Sequence, residues 1–199
     1  MWGDLAIHLW EHVQLAAAAL ALALAFGLTF GIAAAYVAPL RAAILALASI
    51  GRTVPSLAVL MLLLPWLGVG VASAVVALAI LAIPPILINI DLAIREVPRP
   101  AIDAATGMGM DGRQRFARVI VPYALPVGVV GVRTAATEVI ASATLATFIG
   151  GGGLGDDIVR GLQTDDAGLL VASATIVAAL AIVVDLIFSR IADRLEVPA

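Results

Sequence analysis

The chain has 199 residues, 63% of them hydrophobic and 13% charged, with a mean hydropathy of +1.13 and a formal net charge of -3. A soluble domain carries about a quarter charged residues, so this composition points away from a soluble enzyme or nucleic-acid binder and toward a chain that uses lipid as its solvent. All eleven basic residues are Arg and there is no Cys, which removes disulfides, thiol chemistry and Cys-based metal sites.

About 20 apolar helical residues cross the hydrocarbon layer, so the length allows about five or six crossings and leaves no room for a separate soluble catalytic domain. Five apolar runs are visible: Val13 to Ala38, Ala42 to Leu67, Val69 to Ile94, Tyr123 to Ile149 and Gly168 to Phe188. The period-two alternation of a membrane barrel is missing, and a lone backbone in lipid must satisfy itself, so all five are expected to be helices. The fold class is therefore all-α, a polytopic bundle occupying 1–199 as one transmembrane domain.

Ahead of the first run, Met1 to Glu11 has no basic residue and carries Asp4 and Glu11. That is unlike a cleavable signal peptide, so the first run is expected to be retained as a crossing. His8 and His12 stand four apart without a third ligand and are read as interfacial residues on an exposed segment. The run itself is rich in small residues, including Gly27 and Gly31, which suit close helix packing in a bundle or a dimer.

Pro39-Leu40-Arg41 joins spans one and two, and Gly68 turns span two into span three. Pro55 in span two and Pro84-Pro85 in span three are expected to kink those helices. Asp91 and Arg95, four apart near the end of span three, suit a local helix pair.

The third connection, Arg95 to Pro122, is long and polar. Pro100 suits the first turn of a short helix ending near Thr106, with Gly107 and Gly109 able to stop it. Asp111 opens a second short helix, with Gln114 three residues on in a capping-box spacing and Phe116 and Val119 on its apolar side. Two short helices about a Gly turn form a knob suited to a groove on another protein.

Orientation follows from the Arg residues. Arg41, Arg95, Arg99, Arg113, Arg115, Arg118, Arg190 and Arg194 lie on one side of a five-span chain and Arg160 on the other. The rich side is expected to be cytoplasmic, with the N-terminus outside and the C-terminus inside. Trp10 and Trp66 then fall at the outer interface and Tyr36 and Tyr123 at the inner one.

Span four carries Arg133 and Glu138 beside Thr134, Thr137, Ser142 and Thr144, and these charges either line a pathway or dimer interface or form a static interhelical pair. Arg52 is a further charge within the spans, and Asp185 in span five is expected to reach the inner headgroups. The Gly-rich loop from Gly150 to Ala167 contains Gly150-x-Gly152-x-x-Gly155, but this follows a span and not a β-strand, so a hinge or gate is the better reading than a dinucleotide site. A P-loop needs a Lys that the chain lacks, so any ATP hydrolysis must come from another polypeptide.

The third connection resembles the cytoplasmic loop of the MetI-like permeases of ABC importers. Their pattern of E-A-A, three residues, G, nine residues and I-x-L-P is met by Asp103-Ala104-Ala105, then Gly109, then Val119-Ile120-Val121-Pro122. Asp stands for Glu, and Val for both Ile and Leu. Arg52 to Leu60, Gly131 to Ala135 and Ala143 to Asp156 further resemble the glycine betaine/carnitine/choline branch, although the Gly-Gly-Leu-Gly element of the third stretch is shared with methionine and phosphonate permeases, so the first two argue for the osmolyte branch.

The resemblance implies an importer permease without an ATPase site of its own, working with a second permease subunit, identical or paralogous. Two cytoplasmic ATPases would hold ATP and Mg, with no cofactor in this chain, and an external substrate-binding protein would capture a quaternary-amine osmoprotectant. No nucleic-acid partner is implied. Asp103, Ala104, Ala105, Gly109 and Pro122 would couple to the ATPase, and Thr53, Pro55, Ser56, Arg133, Glu138, Thr144, Gly152 and Gly153 would form the pathway or gate. The alternatives are a methionine or phosphonate permease, or an ion-coupled secondary carrier, for which the sequence offers no internal repeat.

Overall fold

The computed structural model describes residues 2–195, and no strand occurs among them. Helix α1, Trp2–Tyr36, begins well before the expected Val13. Its 35 residues extend over about 50 Å, more than the ~30 Å of a hydrocarbon layer, so its N-terminal turns reach past the apolar zone. Val37 alone separates it from α2, Ala38–Gly51, whose first turn holds Pro39, where a missing N–H is harmless.

The second apolar run is not one kinked helix. It is α2 followed by α3, Ser56–Leu67, set at 103° to each other. Pro55 lacks the N–H that would continue the ladder and disfavours helical angles at Val54, so the chain breaks there. Thr53 N and Oγ1 both donate to Ile50 O, at 3.0 and 2.7 Å, and tighten the last turn before the break.

Gly68 and Gly70, both at positive φ, turn the chain into α4, Val71–Arg95. Pro84 and Pro85 lie inside α4 without interrupting it. The third connection holds α5, Arg99–Gly107, and α6, Gly112–Arg115, which runs through a π-helical turn at Phe116–Ile120 into α7, Val121–Ala143. A tighter 3-10 segment, Thr144–Ile149, ends that span. Helix α8, Leu154–Gln163, occupies most of what the glycine content suggested was loop, and α9, Ala167–Leu195, closes the described chain.

Helix α4 is the central element, packed on α1 and α7, while α9 lies on α7 and α8. Close approach explains the small residues. A Cβ at Gly27 would lie 2.7 Å from Ile86 Cγ2, and one at Gly31 would lie 2.7 Å from Ile90 Cβ. Ala19, Ala23, Ala77, Ala82, Ala135 and Ala143 are buried in the same core. The small face of α1 is thus used within the chain, where dispersion at short range substitutes for a hydrophobic effect that lipid cannot supply.

Candidate functional site

The knob of the third connection is built largely from its own backbone chemistry. Pro98 precedes α5 and Pro100 sits in its first turn. Ala105 is fully buried against the π-helical turn side of the knob, and its carbonyl accepts from Met110 N at 3.1 Å, so a larger side chain has no space there. Asp103 and Ala104 are exposed.

Gly109 has φ +80, and its N–H donates to Thr106 O at 2.9 Å. A Cβ at Gly109 would meet nothing within 4 Å, so the position requires glycine for its backbone angle and not for space. Asp111 Oδ1 accepts from Gln114 N at 2.8 Å while Gln114 Oε1 accepts from Asp111 N at 3.1 Å, the reciprocal capping box expected from the spacing. Arg115 Nη1 donates to Thr106 Oγ1 at 2.9 Å and ties the two short helices together. Pro122 falls in the first turn of α7.

The charges in the spans rearrange the expected pairing. Asp91 is joined not to Arg95 but to Arg41 of α2, with Arg41 Nε and Nη2 donating to its two oxygens at 3.0 and 2.9 Å. A partner from a neighbouring helix can meet both carboxylate oxygens in plane, which gives the stronger fork geometry. Asp185 does not reach outward to headgroups: Arg133 Nε and Nη2 donate to its two oxygens at 2.6 and 2.7 Å. Arg133 is thus paired across helices with Asp185 and not with Glu138, which is half-buried on α7 and separate from the pair.

The histidines are not on an exposed segment. His12 is fully buried and its Nε2 bonds Ile140 O at 3.0 Å, while His8 Nδ1 lies 2.6 Å from Asp157 Oδ2. Asp157 is itself buried and also accepts from Arg160, so α1 and α8 are stapled together. Among the described residues no group of three His, Cys, Asp or Glu side chains could hold a metal ion.

The Gly-rich turn packs closely against this staple. Gly150, Gly152 and Gly153 all have positive φ, and a Cβ at Gly153 would lie 3.1 Å from His12 Cα. Asp156 accepts from Thr147 and helps fix the turn to the 3-10 segment. A cavity of about 570 Å³ sits beside it, with His8, Glu11, Gln14 and Asp156 on its wall together with Leu15 and Val75. Thr144 Oγ1 donates to Ala141 O at 2.7 Å. Thr53, Pro55 and Ser56 sit at the α2–α3 break.

Residues 27–197 match the model of the family described as the binding-protein-dependent transport system inner membrane component. The chain belongs to that family. It is 36% identical to the carnitine transport permease protein OpuCB of Listeria monocytogenes over 192 residues, covering 96% of this chain and 88% of the relative. It is also 36% identical to the choline transport system permease protein OpuBB of Bacillus subtilis over 197 residues, covering 99% and 90%. The fold is similar to a chain of the MetNI methionine ABC transporter in an inward-facing conformation, with TM-score 0.87 at 22% identity, covering 99% and 98%.

As an inner membrane transport component, the chain is a multi-pass membrane protein with a MetI-like fold. Four helical segments are long and apolar enough to cross, or five with the bent α2–α3 pair counted as one. Sequence reasoning missed the α1–α8 staple and helix α8. A signal for α8 was present in the spacing of Leu154 and Ile158 and in Asp156 and Asp157 in the first turn.

Proposed function

We propose that this chain is the permease subunit of an ATP-driven importer for quaternary-amine osmoprotectants such as glycine betaine, carnitine or choline. The observation that carries the coupling role is the knob. Its Gly109 turn, capping box and Arg115–Thr106 tie hold Asp103 and Ala104 outward on a rigid support. A rigid protruding element is what a cytoplasmic ATPase needs in order to move the spans, and Pro122 conveys that motion directly into α7.

In this reading two permease subunits work with two ATPases, which bind ATP and Mg, and with an external substrate-binding protein. The N-terminus is outside and the C-terminus cytoplasmic, as the Arg distribution favours. Closure of the ATPases draws the two knobs together and rocks the bundle between inward-open and outward-open states. Thr53, Pro55, Ser56 and Glu138 serve the path in the middle of the bundle, and Thr144, Gly152 and Gly153 its outer gate. Arg133 contributes by bracing α7 on α9. The relatives named for carnitine and choline support the substrate class.

The test is reconstitution in lipid. The lone subunit is expected to show neither ATPase activity nor uptake, and uptake of radiolabelled glycine betaine should appear when ATPase, ATP and binding protein are added. Gradient-driven uptake by the lone subunit would instead establish a secondary carrier.

A further inference from the structure

A groove runs between α1 and α7 with α4 beneath it. Its floor is Ile90 and Ile94 of α4, and one wall is the face of α1 that carries Leu24, Leu28 and Ile32, each one turn from the next. The other wall is α7 together with the π-helical turn, from Phe116 to Val132. Ala124 and Gly128 stand on that wall with little or no side chain, and a Cβ at Gly128 would already lie 3.1 Å from Ile90 Cδ1. The missing bulk leaves a cavity of about 270 Å³.

Every side chain on these walls is apolar, so water gains nothing there, and an empty groove forfeits its dispersion contacts. In a chain that crosses a membrane, the filler at hand is an acyl chain. Length agrees with that occupant: Leu24 to Ile32 rises about 12 Å and Val121 to Val132 about 16 Å, close to the ~15 Å depth of one leaflet.

One end of the groove is basic. Ile32, Ile94 and Phe116 mark that end, where α1 and α4 finish and α7 begins. Arg95 follows Ile94 directly and Arg115 directly precedes Phe116, so both border the rim. The Tyr36 ring lies 6.4 Å from the Phe116 ring, an aromatic pair of the kind found where headgroups begin. Arg115 gives one N–H to Thr106 Oγ1 and, with five donors, keeps others. Across the third connection Arg95, Arg99, Arg113, Arg115 and Arg118 outnumber Glu96, Asp103 and Asp111, and Asp111 already accepts from Gln114 N. A basic rim over an interhelical groove suits an anionic headgroup.

We propose that this groove is a binding site for one anionic phospholipid, with an acyl chain laid between α1 and α7 and the phosphate held by Arg95 and Arg115 at the rim. The site requires only that the chain spans the membrane and stands whether or not the osmolyte reading does. Its wall includes the π-helical turn that joins the knob to α7, so the bound chain packs against that joint.

The test counts retained lipid by native mass spectrometry on the protein purified in mild detergent with equal amounts of phosphatidylglycerol and phosphatidylcholine. Wild type is expected to hold one phosphatidylglycerol per chain, in about tenfold preference over phosphatidylcholine. Ala124→Phe, which fills the groove, should lose that lipid and keep its oligomeric state. Arg95→Gln combined with Arg115→Gln should abolish most of the preference, whereas Thr106→Val, which removes the tie to Arg115 but leaves both guanidinium groups, should keep it. Unchanged retention in Ala124→Phe overturns the site. Equal retention of the two lipids by wild type overturns it too, because the groove would then be indifferent to headgroup.

If Ala124→Phe does not fold, Val129→Phe fills the same wall and decides. The rival occupant is a second copy of this chain. Leu125→Cys, 42% exposed on the groove wall, tests for it in native membranes without a background of other Cys residues. The expected result is no disulfide between copies at this position, and its formation would show the groove closed by protein and overturn the lipid site.

Discussion

Arg41 and Asp91, fifty residues apart in the chain, form a forked ion pair that clamps α2 to the C-terminal half of α4. Asp91 is 3% exposed, so its charge is held in a nearly dry site by that one cation. Removing one member of such a pair leaves the other uncompensated, whereas removing both leaves two neutral groups. Arg41→Gln should therefore lower the thermal midpoint of the detergent-solubilised protein more than Asp91→Asn does, because it strands the buried carboxylate. The double variant should recover part of the loss. Additive losses in the double-mutant cycle would show that the two residues act independently.

Close packing at the α8 start gives a second expectation. A Cβ at Gly155 would lie 2.2 Å from Thr144 O, a backbone atom that cannot swing aside. Gly→Ala inside a helix normally gains about 1 kcal/mol of propensity, but overpacking costs about 1–3 kcal/mol or more. The clash should win, so Gly155→Ala lowers stability. Gly107→Ala, at the end of α5 with no atom within 4 Å of the added carbon, should not. Thermal unfolding of the two variants side by side checks the order, and equal midpoints would contradict the packing described for α8.

Local chemistry was legible in the sequence wherever it is settled by residues a few positions apart. The Asp111–Gln114 capping box and the turn at Gly109 are such cases, and both stand where spacing put them. Asp91 shows the limit. Arg95 is its nearest cation in sequence, yet Arg41 from another helix offers the better fork. The break at Arg52 to Pro55 was marked by Pro55, but one proline does not reveal whether a helix bends slightly or turns by 103°. Glycine content hid α8, because Gly155 and Gly161 are there for close contact with Thr144 and Leu170 and not for flexibility.

Orientation can be read by single Cys substitution, since the chain has no native Cys. Ser73 and Asp157 are unsuitable positions, at 4% and 0% exposure, with Ser73 bonded to Leu67 O and Asp157 to His8 and Arg160. Val69, Leu162 and Met108 are 75%, 72% and 70% exposed and so compare reactivity at matched accessibility. In intact cells Val69→Cys and Leu162→Cys should react with an impermeant thiol reagent, and Met108→Cys should react only after permeabilisation. The reverse pattern would invert the topology and place the knob outside.

The transmission role of the knob is tested at Gly109. Because nothing lies within 4 Å of a Cβ there, a substitution acts through the backbone: left-handed angles cost an ordinary L-residue about 1–2 kcal/mol, and a β-branched one more. Gly109→Val should relieve that strain by reshaping the turn between α5 and α6, breaking the registration of Thr106 with Arg115 while the spans remain buried as before. Gly109→Asn, which tolerates left-handed angles, should behave nearly as wild type. In the reconstituted transporter the Val variant is expected to insert and assemble normally and to hydrolyse ATP without matching uptake, while the Asn variant retains both. Wild-type uptake and substrate-stimulated hydrolysis in Gly109→Val would mean that the shape of this turn does not carry force from the ATPase, and the coupling element would have to be sought elsewhere on the cytoplasmic face.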